Sequence, residues 1–296
     1  MKVGSLFSGY SGLDLGLQKV FSESRPTWFV EFDKSPSKIL KHHYPDVPNY
    51  GDVTKVDWAE IEPVDIITAG YPCQPFSVAG KRKGTNDERH LWPYVLGAIR
   101  TIQPRFAVFE NVRGHVNLGL SAVVADLASI GWNCEWTVNR ASDVGAPHHR
   151  ERLFIFAYPN GKRPQAQRLA SGSAQEVPWD NDLHDFLAGL NRAADIEWEL
   201  RSRFGDYGPA ILTWALATGR TPPPLIEDYV GRSVHPRFPE IRSATNVEFI
   251  EWLMDLPAGW VTGVPGLSRA QMVKALGNGV VPAQAGAAIK ELMERG

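Results

Sequence analysis

The stretch VGSLFSGYSGLDLGLQKVF, residues 3–21, decides the fold. VGSLF is a short apolar run, SGYSG a glycine-bearing turn, and LDLGLQKVF carries leucine and valine at helical spacing, so the stretch reads as strand, turn, helix. The same alternation continues outward. TWFVEFD is strand-like, SPSKILKHHY is helix-like with Ser35 as its cap, and DIITAGYP is a third strand that ends at Pro72. LWPYVLGAIRTIQP reads as a helix, RFAVFENV as a fourth strand and LSAVVADLASIG as a helix; NCEWTVN and RLFIFAY are further strand candidates. Strands alternating with helices predict an α/β fold, a doubly wound and mostly parallel sheet covered on both faces, with ligands at the carboxyl ends of its strands.

The alternation stops near Tyr158. Residues 158–245 are rich in Pro, Gly, Arg and Trp, include the stiff TPPPL connector, and offer one convincing helix around 209–216, which predicts a small irregular second lobe. Helical patterning returns in VEFIEWLMDL and QAGAAIKELME, so the domains expected are 1–157 with 246–296, and 158–245. No fixed-period repeat is present.

The chain has 296 residues, 43% of them hydrophobic and 22% charged, enough to bury a full core. No apolar run approaches the roughly 18 residues of a membrane span and the N-terminus lacks a signal peptide, which predicts a cytoplasmic protein without a membrane partner. Two cysteines, Cys73 and Cys134, do not make a disulfide framework. A formal charge of −2 means that any nucleic-acid binding must rest on a local basic surface.

Gly9 and Gly12 lie between strand and helix, where a missing Cβ lets a ligand approach the backbone and the helix N-terminus. The turn falls short of the G-x-G-x-x-G fingerprint, since Ser11 occupies the middle glycine position. Glu31, at the end of the second strand, is placed to accept ribose hydroxyls, and Asp52 is placed to meet an adenine amino group. Together they outline a nucleoside pocket without choosing the nucleoside. In GYPCQPFS, residues 70–77, two prolines keep Cys73 out of a sheet ladder, as a presented nucleophile requires. Its thiolate needs a nearby cation or helix N-terminus, and Arg150 and Arg152 are candidates for the charge. His148 and His149 have no Cys or acid at ligand spacing, so no metal site is expected; they read as turn or backbone-contacting residues, and Cys134 as core.

FSGYSG at 7–12, Glu31, Asp52, PCQPFS at 72–77, ENV at 110–112, RER at 150–152 and GNGVVP at 277–282 resemble the ordered motifs of cytosine-C5 DNA methyltransferases of the short prokaryotic or phage type. The resemblance implies a class I, Rossmann-like fold that uses S-adenosyl-L-methionine and releases S-adenosyl-L-homocysteine. It implies that Cys73 adds to C6 of a cytosine flipped out of duplex DNA, Glu110 contacts N3, Asn111 supports the Cys73 loop, and Arg150 and Arg152 contact O2 and the adjacent phosphate or loop. Phe7, Gly9, Tyr10, Gly12, Glu31, Phe32, Asp52, Val53, Pro72, Asn278 and Val280 would form the donor site. Ser11 stands where the family commonly has glycine, and His148 and His149 where Gln and Asn are expected.

The loop from Ser77 to Trp92 carries Lys81, Arg82 and Lys83 between glycines and has the charge to close over DNA, with Ser77 near a phosphate. In the variable lobe, equated with target recognition, Lys162, Arg163 and Arg168 are candidate DNA contacts beside Gln165 and Gln167. A monomer is expected, and a restriction endonuclease partner is not detectable. Three other readings compete. A tRNA cytosine-C5 methyltransferase would share the first lobe; an NAD-linked oxidoreductase would explain the turn-to-acid spacing but not PCQPFS or ENV; a DNA-binding protein without catalysis would have no use for Cys73, Glu110 and Arg150 together.

Overall fold

The computed structural model describes residues 1–72, 91–164, 180–191, 196–230 and 241–295. Its first half is the alternating segment: β1 (Lys2–Leu6), α1 (Gly12–Val20), β2 (Arg25–Val30), α2 (Lys34–His43), β3 (Ile66–Ala69), α3 (Trp92–Ile102), β4 (Phe106–Val112), α4 (His115–Leu118), α5 (Leu120–Ser129), β5 (Trp132–Asn139) and β6 (Arg152–Pro159). These strands form one sheet in the order β2-β1-β3-β4-β6-β5. The first four are parallel, with Leu6 opposite both Val30 and Ala69, and Ala69 opposite Phe109.

Each central strand is apolar on both sides because both faces are covered. Ile67, Phe109 and Ile155 pack towards Val95, Ile99 and Leu127 on one face, while Ile66, Val108 and Phe154 pack towards Leu17, Ala288 and Ile289 on the other. The period of two along β3, β4 and β6 thus feeds two cores.

The parallel pattern ends at β6, which enters antiparallel between β4 and β5, with Glu110 opposite Phe154 and Val112 opposite Arg152. The link from β5 to β6 contains only a single 3-10 turn, Ala141–Val144, and no crossover helix, so the chain reverses instead of returning to the starting end. Arg152 therefore stands at the carboxyl ends of the parallel strands, and Pro159, about 23 Å along at 3.3 Å per residue, at the opposite end.

The described residues within 158–245 are more regular than the composition of that stretch predicts. They hold α6 (Asn181–Asn191), α7 (Ile196–Phe204), α8 (Gly208–Thr218) and an antiparallel hairpin of β7 (Ile226–Val230) and β8 (Ile241–Thr245). Leu183, Trp214 and Ala215 share a core with Phe249, Leu256 and Leu276, and the Trp214 indole donates to the Trp252 carbonyl at 3.1 Å. The chain closes with α9 (Val247–Leu253), α10 (Arg269–Asn278) and α11 (Pro282–Glu294). α11 lies on α1, close enough that a Cβ on Gly16 would overlap Ala285. Asp33, not Ser35, caps α2, its carboxylate accepting from the Ser35 amide at 3.1 Å. Among the described residues no helix is long and apolar enough to cross a membrane.

Candidate functional site

At the carboxyl ends of the parallel strands lies a cleft of about 750 Å³. Phe7, Gly9 and Glu31 form one wall, Gly70, Tyr71 and Pro72 lie beside it, Glu110, Asn111 and Arg152 line it from β4 and β6, and Lys274 and Asn278 face it from α10. Residues far apart in sequence meet here because the strand ends and the last turn of α10 reach the same rim.

The glycine turn is held by a buried carboxylate. Asp14 accepts hydrogen bonds from Ser5 Oγ at 2.8 Å, Ser11 Oγ at 2.7 Å and Thr68 Oγ1 at 2.5 Å, while burial pushes its carboxyl up from the ordinary range. Ser11 sits at φ 71°, the left-handed region in which glycine is ordinarily preferred, and its hydroxyl bond to Asp14 offsets part of that cost. Asp14 was not singled out from the sequence. Its signal was the Ser-x-x-Asp spacing at the start of α1.

Glu31 is fixed through both oxygens, which accept from the amides of Gly9 at 2.9 Å and Asp33 at 2.7 Å; burial, the largest influence, raises its pKa. A Cβ built on Gly9 would meet nothing within 4 Å, so the turn opens onto free space. A fixed carboxylate beside an open glycine turn, faced across the cleft by Asn278, suits a ribose-bearing ligand such as the expected donor.

Glu110 is buried, and its Oε1 lies 2.8 Å from Arg152 Nε. Burial drives the Glu110 carboxyl above its ordinary value, and Arg152 and Arg150 work against that rise. Asn111 Nδ2 donates to the Tyr71 carbonyl at 3.1 Å, tying β4 to the segment that leads through Pro72 to Cys73. The Tyr71 hydroxyl meets His115 Nε2 at 3.0 Å; burial lowers His115 to about 4, which keeps the ring neutral near pH 7.

Several expected residues do other work. Tyr10 is 1% exposed, with its hydroxyl on the Val280 carbonyl at 2.8 Å, and a Cβ on Gly12 or Gly279 would overlap its ring. Tyr10, Gly12 and Val280 thus pack the turn against the segment after α10 and do not line the cleft. Arg150 is committed to the carbonyls of Gly277 and Gly279, so of the two arginines only Arg152 faces the cleft. Asp52 caps a short 3-10 turn by accepting from the Thr54 amide at 3.0 Å, Val53 is buried behind it, and Phe32 is 77% exposed; none of the three lines the cleft.

Lys162 and Arg163, expected at DNA, lie at the opposite end of the sheet because antiparallel β6 delivers its exit there. Arg163 is occupied by Glu135, at 2.9 Å from Nε, and by the Leu292 carbonyl, at 2.9 Å from Nη2. His148 is half-buried in the segment before β6, its ring nitrogens make no hydrogen bond among the described residues, and desolvation lowers it to about 4. Cys134 packs against the core and burial raises its thiol to about 11. Cys73, Ser77, Lys81, Arg82, Lys83 and Arg168 lie outside the described residues. Among the described residues no three His, Cys, Asp or Glu side chains gather as a metal site would require.

The family model for C-5 cytosine-specific DNA methylase matches residues 1–204. The chain belongs to that family. Curated relatives include the type II methyltransferase M.CviJI of Paramecium bursaria Chlorella virus IL3A, 34% identical over 60% of this chain and 48% of its own, and the orphan methyltransferase M.Rho11sI of Bacillus phage rho11s, 33% identical over 53% of this chain and 32% of its own. The chain spans about half the length of the first curated relatives it matches or less, 48% and 40% for two of them. Solved structures with the same fold include Dnmt2 methyltransferase of S. pombe, with TM-score 0.66 at 16% identity over 100% of this chain and 99% of that one. A putative DNA modification methyltransferase encoded within an E. coli prophage gives TM-score 0.58 at 18% identity, covering 99% of each chain. The fold is thus that of the class I methyltransferases.

Proposed function

We propose that the protein transfers a methyl group from S-adenosyl-L-methionine to C5 of a cytosine extruded from duplex DNA. Family membership supports the reaction type, and the observation that carries the site assignment is the buried Glu110–Arg152 pair, 2.8 Å apart, in the same cleft as Gly9 and Glu31. The bound donor supplies an electrophilic methyl on a sulfonium. Glu31 would hold its ribose, with Phe7, Gly9 and Asn278 around it.

Cytosine C5 is a poor nucleophile. The thiolate of Cys73 adds to C6, the C5=C6 electrons become available at C5, and C5 takes the methyl group. Loss of the C5 proton then expels the thiolate and restores the ring. Glu110, its carboxyl raised by burial, hydrogen-bonds or donates at N3 and so stabilises the electron-rich ring. Arg152 offers its remaining donors to O2 and keeps Glu110 oriented. Asn111 holds the Tyr71 carbonyl, two residues before the nucleophile. Residues 158–245 are the target-recognition region in this reading, and Lys81, Arg82 and Lys83 approach the phosphates. The reaction belongs in the cytoplasm of a bacterium or phage-infected host, where the DNA is.

The test is expression in a methylation-free host and genome-wide mapping of modified cytosines. Methylated cytosines within one short sequence, absent with Cys73→Ser, are expected. Soluble protein that leaves the genome unmodified and methylates tRNA instead would overturn the choice of substrate.

A further inference from the structure

At the end of the sheet opposite the cleft, the turns after α3, α5 and β6 enclose a second cavity of about 630 Å³. Its charged side chains are all of one sign: Arg100, Arg105, Lys162 and Arg163, with no carboxylate among the described residues that line it. In a chain with 31 basic and 33 acidic residues, that segregation is a local property and does not follow from composition.

The four cations are not equivalent. Arg163 is immobilised by Glu135 and by the carbonyls of Leu292 and Met293, and the one charge of Glu135 answers it alone. Arg100, Arg105 and Lys162 are exposed, and none makes a side-chain hydrogen bond or ion pair among the described residues. Three unanswered cations sharing a concavity raise its potential, and an anion placed among them gains several charge-assisted hydrogen bonds at once. Phe106 and Trp132 form an apolar floor, and the volume falls within the range of small-molecule sites.

We propose that this cavity binds a phosphate monoester of nucleotide size, with the phosphate held by Arg100, Arg105 and Lys162 over the wall fixed by Arg163. The site is separate from the cleft and does not rest on the methyl-transfer reading. Because it lies across the sheet from Gly9 and Glu31, its ligand does not compete with a ligand there.

Isotope-labelled protein titrated with uridine 5′-monophosphate, inorganic phosphate and uridine tests this by amide chemical shifts. The monophosphate should move Arg105, Gly131 and Lys162 saturably and leave Gly9 and Gly70 unmoved; inorganic phosphate should move the same amides at higher concentration, and uridine should move none. The double variant Arg105→Gln, Lys162→Gln should weaken binding by about tenfold or more. Arg100→Gln, an exposed change on α3, should weaken it by a smaller factor and provides the test should the double variant not fold. Shifts that fail to saturate below roughly 10 mM, shifts confined to Gly9 and Gly70, or parental affinity in a folded variant would overturn the proposal.

Discussion

The two ends of the six-stranded sheet use the same residue types to opposite effect. At the carboxyl ends of the parallel strands, carboxylates are buried or half-buried and paired: Glu110 with Arg152, Glu31 with two backbone amides, Asp14 with three hydroxyls. Around the cavity at the other end the cations stand without acids among the described lining residues, save for the Arg163–Glu135 pair. Backbone strain does not follow this division: Phe7, Ser11 and Arg150 adopt positive φ at or beside the cleft, and Gln103, which lines the far cavity, does so too at φ 51°, each arrangement costing about 1–3 kcal/mol and persisting where surrounding structure enforces it. One end is built to perturb and orient acids; the other leaves positive charge unspent.

If that contrast is functional, substitutions at the two ends should separate activity from stability. Glu110→Gln should lower turnover by about 10²- to 10⁴-fold with little change in melting temperature, measured by methyl transfer to duplex DNA; parental turnover would remove Glu110 from the chemistry. Gly279→Ala should cost about 1–3 kcal/mol in denaturant unfolding, because a Cβ there overlaps the buried Tyr10 ring that closes the turn against Val280.

Acid should damage the cleft end through its neutral histidines. The folded pKa of His115, about 4, lies below the ordinary value near 6.5, so the unfolded chain binds more protons between them. The stability due to the neutral ring is complete above pH 6.5 and is lost as pH falls towards 4. About 1–2 kcal/mol should disappear between pH 6.5 and 5, and His115→Gln should flatten that part of the curve. At the far end, Arg163→Ala should cost about 1 kcal/mol by unpairing Glu135 and loosening the last turn of α11, with methyl transfer unaffected. The smallest effect is expected for Ser11→Gly, within about 0.5 kcal/mol, since relief at φ 71° offsets the lost hydroxyl bond to Asp14.

The fold was legible where burial writes itself into the sequence. VGSLF, DIITAGYP and RFAVFENV are continuous apolar runs because both faces of those strands are covered, and their order places Glu31, Glu110 and the glycine turn at one rim. The direction of RLFIFAY was not legible. A strand buried on both faces looks the same parallel or antiparallel, and that one undetermined bit moved Lys162 and Arg163 to the opposite end of the molecule. The helices at 181–204 were missed for another reason. Segments such as IEWELRSRF mix charge with isolated apolar residues, and their apolar partners, among them Ile211 and Trp214 of α8 and Leu183 of α6, lie on other elements of a shared core. Among the donor residues, Tyr10 and Gly12 were read as contacts because a glycine turn cannot reveal which of its residues face a ligand and which pack against a segment some 270 positions away, as Tyr10 does on Val280.

The central claim is a transient bond between the sulfur of Cys73 and C6 of the target base, and the measurement that tests it most directly is the intact mass of protein incubated with duplex DNA containing 5-fluorocytosine at the methylated site and S-adenosyl-L-methionine. Fluorine cannot leave C5 as a proton does, so the account predicts a stable protein–DNA adduct carrying one methyl group, absent with Cys73→Ser. Protein that methylates ordinary cytosine at that site yet forms no adduct with the fluorinated duplex would contradict it.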